Sequence, residues 1–119
     1  MSNPRQYCLT LNIKDDDELI REYEEHHKPG NVWPEVIDSI REAGILDMQI
    51  YRDGLKLIMI MTVSDNFSFE DKALRDSRNP RVAEWESLMA RFQEADKQSM
   101  AAEKWKPVER VFALEKHSV

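Results

Sequence analysis

Apolar and polar positions alternate with a period of two over RQYCLTLNI (5–13), where Tyr7, Leu9, Leu11 and Ile13 oppose Cys8, Thr10 and Asn12. That alternation predicts a strand. Asp15, Asp16 and Asp17 follow. They offer a capping carboxylate and first-turn acids, so a helix is predicted from about Asp16 to about His27. Pro29-Gly30-Asn31 ends it. Pro34 suits the first turn of a second helix with Val36, Ile37 and Ile40 as its apolar stripe and Gly44 as its stop. ILDMQIYR (45–52) alternates again, and Asp53-Gly54 is a hairpin turn signal. LKLIMIMTV (55–63) is almost continuously apolar, which predicts a strand covered on both faces. A third helical region is expected near Ser68. A fourth starts at Pro80 and carries Val82, Trp85, Leu88, Met89 and Phe92 on one face. The polar stretch from Glu94 to Lys106 reads as a loop, and PVERVFALE (107–115) as a last strand.

Strand, helices, hairpin, helices, strand is the order of an α+β, ferredoxin-like split βαβ sandwich. Such a sheet carries its helices on one face. Both sides of strand 55–63 look apolar, so a second subunit is the simplest cover for the other face. The expectation is a homodimer packed through its sheets with two-fold symmetry, a dimeric α+β barrel. The 119 residues fit one domain over 1–119, without internal repeats.

Composition narrows the function. The net charge of −6 and the lack of a Lys/Arg block argue against nucleic acid and anionic membrane as partners. The single cysteine, Cys8, rules out an internal disulfide and fits a reducing compartment. We read it as a core residue. No apolar run has the length of a membrane span and the N-terminus has no signal-like apolar region, so a cytoplasmic protein is expected.

The rarest side chains gather in YEEHHKPGNVWPEV (23–36). Leu19, Tyr23 and His27 are spaced i, i+4, i+8 and share a helix face. A phenol and an imidazole one turn apart can hydrogen-bond and exchange protons near neutral pH, or can simply be amphipathic residues at a helix edge. His26 is rotated about 100° away and is expected to face solvent. No HxxxH or CxxC spacing supports a metal site. Trp33 before Pro34 suits a staple onto the second helix or a pocket wall. Trp85 suits core packing. With Glu86 beside it, it also offers what a sugar needs: a ring for the apolar C–H face and a carboxylate for hydroxyls. Asp47, Gln49 and Tyr51 share one strand face, which must meet water or a cavity. No glycine-rich phosphate loop and no nucleophile elbow occur.

Four motifs carry a resemblance: EYEEHHKPGNVWPEV (22–36), AGILDMQIYR (43–52), NPRVAEWESLMARFQ (79–93) and EKWKPVERVFAL (103–114). In this order they resemble the L-rhamnose mutarotase family of small dimeric α+β proteins, and most nearly its L-fucose mutarotase branch. The resemblance implies interconversion of the α and β anomers of a 6-deoxy-L-hexose. It implies His27 as the proton donor and Tyr23 as a sugar-binding residue. Met48 stands where the rhamnose enzymes carry a tyrosine, and Trp85-Glu86 replaces a tryptophan pair. These departures turn the expectation toward L-fucose, or else L-rhamnose.

Ring opening of a hemiacetal needs one proton delivered to the ring oxygen and one removed from the anomeric hydroxyl. An acid and a base suffice, so no cofactor and no metal are expected. His27 is assigned as donor, with Tyr23 or a nearby carboxylate, Glu86 or Glu109, assisting. Asp47, Met48, Trp33 and Trp85 complete the expected sugar contacts. Two other classes share the fold: a dimeric monooxygenase or haem-binding protein with His27 as an axial ligand, and a non-catalytic sugar-binding dimer.

Overall fold

A computed structural model of the chain describes residues 5–94 and 104–117. Strand β1 (Arg5–Asn12) leads through Ile13 into helix α1 (Asp17–His26). Asp16 caps α1 by accepting from the amides of Glu18 and Leu19, both at 3.0 Å. Asn31 Nδ2 donates to the Glu25 carbonyl at 2.7 Å and pins the turn that follows. Helix α2 (Pro34–Glu42) starts on its proline, whose missing amide leaves nothing unsatisfied there. The chain then reverses through Gly44, at φ +94°.

Strands β2 (Ile45–Asp53) and β3 (Lys56–Val63) form the hairpin, joined through Gly54 at φ +60°. Ser68 caps helix α3 (Phe69–Ser77) and Asn79 caps helix α4 (Pro80–Ala90). Strand β4 (Lys106–Val108) and a 3-10 turn (Leu114–His117) close the described chain. Each strand pairing is antiparallel and the sheet order is β2-β3-β1-β4. That is the ferredoxin-like arrangement the element order predicted.

Register sorts the residues into two faces. Leu9, Leu11, Leu57, Met59, Met61 and Val63 are buried on the helix-covered face. There they join Tyr23, Val36, Trp85, Met89 and Phe92 in one cluster. Burying a side chain of this kind contributes about 1.5–3 kcal/mol. A bulge between Ile45 and Asp47 shifts the register of β2 against β3. It places Met48 opposite Met61 and Ile50 opposite Met59 on the core side, and sends Asp47, Gln49 and Tyr51 to the outer face. These three are exposed, and Tyr51 Oη donates to Gln49 Oε1 at 2.9 Å.

Three sequence expectations change. The final strand covers 106–108 rather than 107–115. It pairs only with Cys8, Leu9 and Thr10, and beyond Val108 the chain leaves both the β1 edge and the core. Val111, Phe112 and Leu114 are therefore 92%, 62% and 76% exposed. Alternation without an edge to pair with does not make a strand. Cys8 is a half-buried residue of the outer face, opposite Ile60 and Val108, rather than a core residue. His26 is half-buried, its ring 5.5 Å from that of Phe92, instead of facing solvent. The expected loop from Glu94 to Lys106 lies largely outside the described residues. Among those described, no helix is long and apolar enough to cross a membrane.

Candidate active site

Between the sheet and the helices lies a cavity of about 700 Å³. Leu9, Met59 and Met61 form its sheet side, and Val36, Ile37 and Ile40 of α2 form one wall. Its polar groups come from distant parts of the chain: Tyr23 and His27 from the end of α1, Ser39 and Arg41 from α2, Lys72 from α3, and Glu86 and Gln93 from α4 and the turn after it; the lining also reaches Asp47 at the β2 bulge, where that residue is exposed. An apolar cavity with a few converging polar groups is the usual form of a small-molecule site.

His27 sits at the C-terminal cap of α1, and its Nδ1 lies 2.7 Å from the Tyr23 carbonyl oxygen. A carbonyl only accepts, so Nδ1 carries the hydrogen and Nε2 of the neutral ring is the acceptor left for the cavity. Burial holds the His27 pKa below its ordinary 6.5, although the carbonyl contact opposes that shift and neighbouring His26 adds to it. Neutral His27 is thus equipped to take a proton at Nε2.

Tyr23 is 3% exposed and its ring lies 4.2 Å from that of His27. Burial drives its pKa well above the ordinary phenol value, a hydrogen bond with the Gln93 side chain works against this, and the Glu86 charge reinforces it. Tyr23 therefore stays a neutral hydroxyl and can donate. Trp85, from the buried stripe of α4, lines the cavity with its ring 5.7 Å from that of His27.

Trp33 stands behind Trp85 with ring centres 5.2 Å apart at 70°, and the Arg81 guanidinium lies 4.1 Å over the Trp33 ring. Trp33 is not part of the lining, and Glu109 is exposed and also outside it. The structure brings together Tyr23, His27, Asp47, Met48, Trp85 and Glu86, the rest of the residues expected from the sequence. Among the described residues, no three His, Cys, Asp or Glu side chains gather as metal ligands would.

Gln93, Trp105 and Lys104 are among the lining or supporting residues that escaped the sequence reading. Gln93 and Trp105 line the cavity. The side chain of Lys104 is wholly buried, and its Nζ donates to Glu86 Oε1 at 3.0 Å, the Glu86 carbonyl at 2.7 Å and Gln93 Oε1 at 3.2 Å. A lysine inside a polar stretch carries no sign of burial. Its partner is eighteen residues away, beyond the reach of helical spacing.

An α+β sandwich holding an imidazole–phenol pair in an apolar cavity is a small-molecule site with acid–base capability and a donor set suited to hydroxyls. The family model for L-rhamnose mutarotase matches residues 6–114, and the chain belongs to that family. An L-fucose mutarotase of Xanthomonas campestris pv. campestris is 44% identical over 110 residues, covering 92% of this chain and 88% of its own. The crystal structure of an L-rhamnose mutarotase from Formosa agariphila superposes with a TM-score of 0.68 at 20% identity, covering 92% of this chain and 97% of that one, and so shares the fold.

Proposed function

We propose that the protein is an isomerase that interconverts the α and β anomers of a 6-deoxy-L-hexose, with L-fucose preferred over L-rhamnose. The observation that carries the chemistry is the His27 Nδ1 contact with the Tyr23 carbonyl at 2.7 Å, which presents Nε2 as a base beside a buried phenol. His27 Nε2 takes the proton of the anomeric hydroxyl while Tyr23 gives its proton to the ring oxygen as the C1–O5 bond breaks. The departing ring oxygen is a developing alkoxide, a stronger base than a phenolate, so the raised pKa of Tyr23 does not prevent the transfer. Rotation about C1–C2 presents the other face of the aldehyde. O5 then returns its proton to Tyr23 and attacks C1, and His27 protonates the new anomeric oxygen. The sequence expectation of His27 as the donor to the ring oxygen changes: with Nε2 as an acceptor that delivery passes to Tyr23, and His27 donates only to the new anomeric oxygen in the closing half.

Trp85 offers its ring to the C–H face of the sugar. Glu86 lines the cavity, and a carboxylate that accepts from Lys104 retains acceptor capacity for a sugar hydroxyl. The preference for L-fucose is supported by the Xanthomonas relative and by Glu86 and Met48 in the lining.

The same reading includes a homodimer. Cys8, Ile58 and Ile60 lie half-buried on the face of the sheet opposite the helices, and Val108 extends that surface. A second copy laid sheet to sheet would cover them. Light scattering after gel filtration reads the assembly directly, and a monomer at micromolar concentration would sink this part.

The reaction is tested by magnetisation exchange between the α and β anomeric protons of L-fucose and L-rhamnose. Faster exchange with L-fucose, lost in His27→Ala, is the expected result. No acceleration of either sugar would remove the mutarotase reading, and sugar binding without acceleration would make the protein a binding module.

A further inference from the structure

Lys104 is wholly buried and is not part of the cavity lining, whereas its partner Glu86 is. The Lys104 Nζ donates to three oxygens: the Glu86 carbonyl at 2.7 Å, Glu86 Oε1 at 3.0 Å and Gln93 Oε1 at 3.2 Å. An ammonium has three hydrogens and no acceptor, so these contacts use it up. Two of the three go to one residue. Nζ holds the backbone carbonyl and the carboxylate of Glu86 together, which fixes that side chain against its own helix. The Gln93 contact, from the turn after α4, keeps the ammonium from turning away, and Gln93 is itself 2% exposed.

Oε1 of Glu86 is thus engaged, while the side chain keeps 13% exposure and lines the cavity, so Oε2 is the acceptor left for a ligand. We infer that Lys104 is a positioning residue for sugar selection: it holds Glu86 so that Oε2 accepts from a hydroxyl whose configuration differs between L-fucose and L-rhamnose. This deepens the mutarotase reading and rests on it. The two sugars differ in configuration at C2 and C4. A carboxylate free to swing can follow a hydroxyl into either configuration. One tied at its own carbonyl and at Oε1 meets only one of them. The buried ion pair needs a reason of this kind, because an apolar pair of the same shape is often as stable. A fixed acceptor is what the ion pair supplies and the apolar pair does not.

The test uses L-fucose, L-rhamnose and the two single epimers of L-fucose: 6-deoxy-L-glucose, inverted at C4, and 6-deoxy-L-talose, inverted at C2. Anomer exchange and calorimetric binding are measured with each for wild type, Lys104→Met, Glu86→Gln and the double variant. The expected result is a wild-type preference for L-fucose over L-rhamnose that shrinks about tenfold or more in Lys104→Met, through KM and Kd rather than kcat, as suits a lost hydrogen bond to a charged group. The double variant should lose no more preference than either single one, because the two residues act as a unit. The gap between L-fucose and one of its two epimers should close with it, and that epimer names the hydroxyl. Trp105, next to Lys104, also lines the cavity. A loss common to all four sugars would therefore mark a structural role and overturn the assignment.

The double variant leaves no buried charge unpaired, which protects folding where a single change does not. A preference kept in it overturns the assignment by itself. Binding separates this assignment from the mutarotase reading. Selective binding of L-fucose that weakens in Lys104→Met, with no acceleration of anomer exchange in wild type, ends the reaction and leaves the positioning role in place. A wild type that does not distinguish the four sugars ends the positioning role, whatever its rate.

Discussion

The imidazole of His27 is tethered by its Nδ1 to the carbonyl of Tyr23, four residues earlier, at 2.7 Å. The same tyrosine supplies a backbone oxygen that sets the tautomer of the proposed base and a side chain that is the proposed acid. A single helical turn therefore fixes both the identity and the separation of the pair. Moving either residue by one position would lose both.

Replacing His27 by Gln tests the base directly. The amide can still donate to the Tyr23 carbonyl, so the local fold is expected to survive. It has no nitrogen that takes a proton near neutral pH. The maximal rate of anomer exchange should fall by about a hundredfold or more, the contribution typical of a positioned acid–base group. Far-ultraviolet circular dichroism should be unchanged. A variant that keeps most of the wild-type rate would move the base elsewhere in the cavity.

The pH profile follows from the lowered pKa of His27. In the proposed reaction the neutral ring is the base, so the rate should rise with pH through a midpoint below 6.5 and be level from there through neutrality. Stability shares the sign. Between the folded-state pKa and 6.5 the unfolded chain binds more protons than the folded one, so stability falls as the pH drops through that window and is level above it. In His27→Gln this part of the acid dependence should vanish from thermal melts. A rate that climbs on acidification would mean that the protonated ring is the active form.

Glu86 is the countercharge of a fully buried ammonium. Glu86→Gln leaves Lys104 charged and poorly compensated, which should cost about 3–5 kcal/mol of stability in urea unfolding. Adding Lys104→Met to the same chain should recover part of that loss. If the single change is harmless, the pair is not buried as described.

Trp33 is expected to act through Trp85, whose ring it contacts. Its removal in Trp33→Ala takes away the edge contact at 5.2 Å and the surface on which Arg81 rests. The expected effect is weaker saturation by the sugar, a few-fold higher KM, with kcat within about twofold of wild type. A proportional loss of kcat with unchanged KM would place Trp33 in the chemistry rather than behind it.

Gly44 joins α2 to β2 at φ +94°, and an added Cβ would lie 2.7 Å from Ser64 Oγ. Gly44→Ala should destabilise the protein by about 1–3 kcal/mol through backbone strain, and a lower thermal midpoint reads this. Gly54→Ala has the strain without the close neighbour, so it should cost less.

Much of this architecture was legible because local periodicity and tertiary demand agree. Asp16, Ser68 and Asn79 cap the helices that follow them, and the strands at 5–13, 45–52 and 55–63 lie within a residue or two of their predicted limits. The pair Tyr23–His27 could be placed on one face because helical spacing is a local rule. What escaped depends on distance in the chain. Lys104 looks like any solvated lysine until Glu86 and Gln93 surround it. The bulge at Ile45/Asp47 decides which side chains of β2 face inward, and no turn residue announces it. The segment after Val108 alternates as a strand does, yet pairs with no strand edge among the described residues.

The cavity also has a thermodynamic meaning. Leu9, Met59, Met61, Trp85 and Met89 are core residues by burial, and each also borders the hollow. The molecule is thus assembled around a cavity of about 700 Å³, in a chain of 119 residues with little interior to spare. A sugar seated there completes the interior as an extra side chain would. Any such occupant binds the native state alone, so at a hundred times its dissociation constant it adds about 2.7 kcal/mol to stability. The melting temperature becomes a gauge of occupancy, and a panel of hexoses can be ranked by heat before a single turnover is timed.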